Sequence, residues 1–229
     1  MHEMARTNLA ALRGNPYPGR GIVVGRDETG EILIQVYWIM GRSQNSRNRI
    51  FAREGGRLFT VAADPSKVKD PSLIIYNAMD EEGGFFVVSN GNQTDTVLRT
   101  MVPGLADFSG AMCSCTYEPD EPNYTPRITA VISLPPAEPF AELALLRRSA
   151  WGAECDRHFF QYADLGSGIG YCFTTYSGDG NPLPAFRGEP YPVPLVGDGQ
   201  AIAETLWDAL NEENRVSLAV KCIPLVDSG

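Results

Sequence analysis

The chain has 229 residues, of which 43% are hydrophobic, and a formal net charge of −9. That apolar content can build one large core, and no apolar run reaches the length of a membrane-spanning helix. The negative charge argues against nucleic acid as a partner, because such binding depends on neutralising phosphates.

The elements are expected in a mostly antiparallel order, because strands follow one another through short turns. An N-terminal helix through about residue 11 precedes the first strands, and two further helices are expected at 96–115 and 200–214. The second of these is the clearest, since its apolar residues form one stripe. The expected strands are residues 21–26, 31–40, 57–63, 72–80, 83–91, 128–134, 142–149, 158–163, 170–177 and 215–225.

This pattern predicts an α+β fold with antiparallel sheets and helices on the outside. Strand 31–40 is apolar at every second position on both faces, so both of its faces are expected to be buried. Residues 1–229 are interpreted as one domain, with the loop-rich stretch 150–200 as a divergent insertion.

Location and metal content can also be inferred from composition. The first 20 residues contain no apolar core of signal-peptide length, so we expect a cytoplasmic protein. The five cysteines have no regular spacing and form a poor disulfide framework. Only two histidines are present, so a tetrahedral zinc site is not expected, and no metal site is predicted.

The most informative segment is residues 41–51, GRSQNSRNRIF, which follows an apolar strand. Three arginines, Arg42, Arg47 and Arg49, alternate with serines and asparagines such as Asn45. Arginine offers planar paired donors, so this segment suits a phosphate or a carboxylate. The alternative is ordinary solvated surface charge. The first 60 residues hold nine arginines and five acidic residues, which favours a small anion as the ligand.

Other candidate residues carry less weight when each is taken alone. Glu121 could move a proton and Asn123 could donate to a developing oxyanion, but the segment EPNYTP is also typical of a turn. Tyr76 could donate a proton, although a tyrosine in a β core is the commoner case. Asp95 could be only a helix cap.

Several segments together resemble the archaeal-type IMP cyclohydrolase family. The matching pieces are GRGIVVGR, the loop 41–49, IIYNAMD, VVSNGNQTDT and NYTPRI, and they come in the family's order over about the first 134 residues. The stretch after residue 150 aligns with nothing in that family, so the chain looks like a member of a bacterial branch.

The resemblance implies a four-layer αββα sandwich like that of the N-terminal-nucleophile hydrolases, without their processed nucleophile. Residues 1–20 contain no Cys or Ser, in agreement. The implied reaction closes 5-formamidoimidazole-4-carboxamide ribonucleotide to IMP with loss of water and requires no cofactor. We expect a purine-nucleotide substrate, no nucleic-acid or membrane partner, and a homo-oligomer.

The resemblance also assigns residues by motif. The implied catalytic residues are Arg47, Tyr76, Glu121 and Asn123. The implied substrate-binding residues are Arg42, Asn45, Ser89, Asn90, Gly91, Thr94, Asp95 and Arg127. Two other functions stay open: a nucleotide-binding or regulatory protein without turnover, and an amidohydrolase on the same fold.

Overall fold

The structure is a computed structural model that describes residues 1–68, 75–134 and 140–225. Within these residues the chain forms two antiparallel β-sheets and a small number of helices. The expectation of an α+β chain built on antiparallel sheets is confirmed. None of the helices in these ranges is long and apolar enough to cross a membrane.

The first sheet has five strands in the order β11-β10-β1-β2-β12. Its strands are β1 (Gly21–Arg26), β2 (Ile32–Met40), β10 (Ile169–Thr174), β11 (Tyr191–Pro194) and β12 (Arg215–Pro224). Strand β2 pairs with β1 on one side and β12 on the other, and it is buried on both faces, as its sequence predicts.

The second sheet has seven strands in the order β3-β4-β5-β6-β7-β8-β9, so each strand pairs with its neighbours in sequence. Its strands are β3 (Ile50–Glu54), β4 (Arg57–Val61), β5 (Asn77–Glu82), β6 (Phe85–Ser89), β7 (Arg127–Ser133), β8 (Ala141–Arg148) and β9 (Cys155–Tyr162).

The two sheets share one apolar core between them. It joins Ile22 and Tyr37 of the first sheet to Val88, Ala130 and other residues of the second. Because side chains alternate along each strand, the opposite faces of both sheets also need cover. Helices α1 (His2–Gly14) and α5 (Gly199–Trp207) cover the first sheet, and α3 (Gln93–Met101) and α4 (Phe108–Met112) cover the second.

Several element boundaries differ from the sequence expectation. The helix expected at 96–115 is two helices, because the chain turns at Gly104, which has a φ of +70°. Helix α5 ends at Trp207 rather than at residue 214. The arginine-rich segment contains a one-turn helix, α2 (Gln44–Arg47), and is followed by the unpredicted strand β3. Residues 72–74 of the expected strand 72–80, including the first residue of IIYNAMD, lie outside the described ranges.

The stretch 150–200 contributes to both sheets. It contains β9 at the edge of the seven-stranded sheet, and β10 and β11 in the five-stranded sheet. Strand β10 pairs directly with β1, residue by residue from Thr174 to Gly170. The stretch that the sequence suggests is a loop-rich insertion therefore completes the architecture.

Candidate active site

A cavity of about 290 Å³ lies where the loop after β2 meets three other connecting segments. These are residues 17–20 before β1, the turn 118–125 before β7, and the loop 176–183 after β10. The cavity is lined by Tyr17, Gly19, Arg20, Met40, Arg42, Ser43, Asn45, Ser46, Arg49, Glu118, Asp120, Asn123, Thr125, Tyr176 and Leu183.

Arg49 is the most deeply buried cation of the cavity wall, with 2% of its surface exposed. Its Nε donates to the Ser46 carbonyl oxygen at 3.0 Å, and its Nη1 has no hydrogen-bond partner among the described residues. Burial lowers the pKa of the Arg49 guanidinium, and the charge of nearby Arg20 lowers it further. A buried cation without a counter-charge is costly, so an anionic ligand would stabilise this wall.

Glu118 is a buried carboxylate that joins two arginines. Its Oε1 lies 2.8 Å from Arg127 Nη1 and 3.5 Å from Arg20 Nη1. Burial lowers the pKa of the Arg20 guanidinium, but Glu118 and three nearby tyrosines together hold it well above its ordinary value. Glu118 therefore fixes these two cations and leaves Arg49 without a carboxylate of its own.

A second carboxylate, Asp120, lies in a chain of hydrogen-bonding groups. It accepts bonds from the Thr125 backbone N–H and hydroxyl, and the Thr125 hydroxyl contacts the Tyr176 hydroxyl. Burial raises the pKa of Asp120, and the charge of Glu118 also raises it, against the hydrogen bonds from Thr125. A carboxylate with a raised pKa is a better proton acceptor than an ordinary aspartate.

Tyr76 lies behind the cavity wall and not in it. Its hydroxyl oxygen is 2.6 Å from that of Tyr37, and both side chains are buried. Burial raises the pKa of Tyr37 well above its ordinary value. Both hydroxyls are close enough to Arg20 and Arg49 to affect the pKa of each guanidinium. Tyr76 is thus placed to influence the cavity through the arginines.

The two arginines of the loop that were assigned by motif lie differently. Arg42 lines the cavity, whereas Arg47 does not. The Arg47 guanidinium donates instead to the backbone carbonyls of Gly41, at 3.1 Å, and Glu213. The cause is helix α2, whose capping box between Ser43 and Ser46 fixes the turn and leaves Arg47 exposed. The structure brings Arg49, which the sequence leaves without a role, into the cavity.

The turn before β7 shows a similar difference. Asn123 lines the cavity, but Glu121 is exposed and does not. Backbone N–H groups of Asn123 and Tyr124 donate to the Asp120 carbonyl oxygen, at 2.9 and 3.1 Å, so the chain folds back and Glu121 occupies the tip. The carboxylates that face the cavity are Asp120 and Glu118, neither of which the motif assignment includes.

The predicted binding turn 89–95 lies behind the cavity wall. Asn45 lines the cavity, whereas the turn supports it from outside. The Asn90 carbonyl oxygen accepts a bond from Arg127 Nη1 at 3.0 Å, and Ser89 Oγ lies 2.7 Å from Thr94 Oγ1. Asp95 accepts a bond from the Asn77 side-chain amide at 2.7 Å. These residues position Arg127 and close the turn between β6 and α3.

Residue 91 must be a glycine, because the Arg127 guanidinium lies directly against its backbone. A Cβ there would lie 1.9 Å from Arg127 Nη1. The turn therefore admits the guanidinium that pairs with Glu118 only because residue 91 has no side chain.

The motif assignment names Arg42, Asn45 and Asn123 of the cavity wall. It leaves out, among others, the charged and hydroxyl-bearing residues Arg20, Arg49, Glu118, Asp120, Thr125 and Tyr176. Arg20 lies in GRGIVVGR and Thr125 in NYTPRI, so the matching segments themselves held part of the signal. Tyr176 lies in a stretch that carried no motif. In the part of the chain that the structure describes, no three His, Cys, Asp or Glu side chains are grouped to hold a metal ion.

The fold and the cavity together define a class: an α+β sandwich with a polar, arginine-lined cavity formed by loops at the strand ends. A family of IMP cyclohydrolase-like proteins has a model that matches residues 17–226, and the chain belongs to this family. The match covers every residue of the cavity wall.

Two relatives share part of the chain. An IMP cyclohydrolase of Methanopyrus kandleri is 36% identical over 118 residues, which are 50% of this chain and 58% of the relative. An IMP cyclohydrolase of Methanothrix thermoacetophila is 32% identical over 120 residues, which are 51% of this chain and 58% of the relative. The matched part therefore spans less than two thirds of either relative.

Proposed function

We propose that this protein is an IMP cyclohydrolase that closes 5-formamidoimidazole-4-carboxamide ribonucleotide to IMP in purine biosynthesis. The observation that carries the proposal is the buried, unpaired Arg49 guanidinium, which shares one cavity with the raised-pKa carboxylate of Asp120. Membership of the IMP cyclohydrolase-like family supports the choice of reaction.

In the proposed mechanism the carboxamide nitrogen of the substrate attacks the formyl carbon. The new C–N bond closes the ring, the carboxamide nitrogen and the formamido nitrogen each give up one proton, and the formyl oxygen leaves with these two protons as water. Holding the two groups coplanar and in contact can contribute on the order of 7 kcal/mol, because the reaction is intramolecular.

Each role in this mechanism falls to residues of the cavity or directly behind its wall. Arg49 stabilises negative charge that develops on the formyl oxygen. Asp120 accepts the proton of the attacking nitrogen and returns it to the leaving oxygen. Asn123 and Asn45 orient the substrate by hydrogen bonds, and Arg42 binds its phosphate. The tyrosine pair behind the wall, Tyr37 and Tyr76, tunes the arginines.

Three wider proposals accompany the reaction. The order of helices and sheets supports a fold like that of the N-terminal-nucleophile hydrolases, without their nucleophile chemistry. We also propose that the protein works in the cytoplasm and that it forms a homo-oligomer. Sedimentation of the purified chain measures the last point directly.

The test of the reaction is to add the formamido ribonucleotide to purified protein and follow IMP by chromatography. We expect a rate well above that of a protein-free control. Folded protein that binds IMP but gives no such rate would instead support a nucleotide-binding protein without turnover. Hydrolysis of a C–N bond in the substrate would support an amidohydrolase.

A further inference from the structure

One guanidinium of the cavity wall, that of Arg42, is already held by the protein itself. It pairs with the carboxylate of Asp179, and its Nη1 and Nη2 each donate to the Gly180 carbonyl oxygen at 3.2 Å. Its Cζ lies over the Tyr17 ring, 4.9 Å from the ring centroid. Arg42 therefore has a fixed position and an internal anion as partner.

Asp179 differs from the other carboxylates that pair with arginines near the cavity. Glu118 is almost fully buried, whereas 49% of the Asp179 side chain is exposed. Asp179 is also absent from the cavity lining, although Arg42 is part of it. A ligand inside the cavity can thus contact Arg42, and it would then compete with Asp179 for the same guanidinium.

The loop that carries Asp179 is held at both ends. The Ser177 backbone N–H donates to the Pro184 carbonyl oxygen at 2.9 Å, and the Asn15 side chain donates to the Ser177 carbonyl oxygen at 3.1 Å. The Leu183 N–H donates to the Asn123 side-chain oxygen at 3.0 Å. Because these bonds do not involve Asp179, its carboxylate can leave Arg42 without unfolding the loop.

We propose that Asp179 forms an ion pair with Arg42 when no nucleotide is bound, and that the phosphate of the nucleotide replaces Asp179 as the partner of Arg42. The competition between the two anions thereby sets the affinity for the nucleotide. The inference rests on the proposed function, since it takes a nucleotide phosphate as the ligand of Arg42. A bound phosphate must break an exposed ion pair and must also lie near the negative charge of Asp179. Both effects weaken binding.

The test compares wild type with Asp179→Asn by calorimetric titration with IMP and with inosine, which lacks the phosphate. An exposed ion pair contributes little, so we expect Asp179→Asn to bind IMP roughly two- to fivefold more tightly. Inosine binding should not change, because no charge is repelled. A loop that merely loosened would alter the binding of both ligands.

A matched control is Asp164→Asn. Asp164 also pairs with an arginine, Arg26, at 3.6 Å, and also accepts the N–H of the residue that follows it, but it lies outside the cavity. This variant makes the same charge change, and we expect wild-type affinity for IMP. In an Arg42→Ala background, Asp179→Asn should lose its effect on IMP. Circular dichroism and thermal unfolding check that each variant is folded.

The possible failures can be told apart. If wild type binds IMP and Asp179→Asn binds it equally or more weakly, Asp179 does not compete with the phosphate and the inference is wrong. An equal gain for inosine, or persistence of the gain without Arg42, overturns it as well. If folded wild type binds neither IMP nor the formamido substrate, the proposed function fails, and the inference falls with it.

Discussion

At the scale of residues, the cavity is defined by how its charges are paired. Glu118 holds Arg20 and Arg127, and Asp179 holds Arg42, but Arg49 has no carboxylate partner among the described residues. An unpaired buried cation lowers stability, and such a cost is typical of positions that a ligand completes.

The first prediction separates Arg47, the last residue of helix α2, from Arg49, which lies two residues further along the chain. Arg49→Met should lower kcat/KM for IMP formation by about 10²-fold or more, because it removes the donor to the developing oxyanion. Arg47→Met makes the same change on the exposed side of the segment, and we expect less than about a threefold loss. A large loss in Arg47→Met with little in Arg49→Met would return the catalytic role to Arg47, as the motif assignment has it.

The second prediction concerns Asp120. Asp120→Asn should lower kcat/KM by about 10²-fold, because the proton acceptor is lost. The same variant should unfold at a higher temperature at pH 7. The folded state raises the pKa of Asp120, so its ionised form costs stability above that pKa.

This cost disappears as pH falls below the ordinary aspartate pKa, where the carboxyl is protonated in both states. The stability difference between Asp120→Asn and wild type should therefore shrink toward pH 3 in thermal unfolding. Glu121→Gln is the matched control, since Glu121 is exposed at the tip of the same turn. A loss of activity in Glu121→Gln that equals the loss in Asp120→Asn would contradict the role of Asp120.

At the scale of elements, short irregular segments decide which side chains reach the cavity. The one-turn helix α2 ends at Arg47, which does not line the cavity, whereas Arg49, two residues later, does. The turn between β6 and α3 contributes no wall residue, but it positions the Arg127 guanidinium through the Asn90 carbonyl. A segment that matches the family can therefore contribute to the cavity by positioning another residue, without lining the cavity itself.

The third prediction tests that support. Gly91→Ala should displace Arg127 from Glu118, because the new methyl group would overlap Arg127 Nη1. We expect a loss of about 1–3 kcal/mol in the free energy of unfolding, typical of added volume in a packed site. Urea denaturation measures it. Gly166→Ala is the control, since a Cβ there meets nothing within 4 Å. Equal stability of the two variants would show that Arg127 relaxes at no cost.

At the scale of the whole molecule, the two sheets depend on segments that are far apart in sequence. Strands β10, β11 and β12 provide three of the five strands of the first sheet, and they all follow residue 150. Without them, β1 and β2 would form an isolated hairpin, which is marginal in water. The core between the sheets would then be open on one side.

The fourth prediction follows from this dependence. A chain shortened to residues 1–150 should show no cooperative thermal unfolding, whereas the full chain should show one transition. Far-ultraviolet circular dichroism with temperature measures both. A cooperative transition in the short chain would mean that the segments after residue 150 are dispensable for folding, and it would contradict this dependence.

Sequence patterns predict an element correctly where residues close together along the chain determine it. The apolar alternation of 31–40 predicts a strand buried on both faces, and β2 is one. The strands expected at 128–134 and 142–149 are also present, as β7 and β8, and they pair with each other. The single helix expected at 96–115 is wrong, because the chain turns at Gly104, with a φ of +70°, between α3 and α4.

The sequence by itself determined the fold class, the family resemblance and the presence of an arginine-rich segment after a buried strand. Only the tertiary structure decided which of its arginines faces the cavity and which carboxylates meet them. Strand patterns depend on neighbours along the chain, whereas side-chain direction in a loop depends on contacts with distant segments. Arg49 and Asp120 face one cavity because α2 and the turn 120–125 are folded against the rest of the molecule.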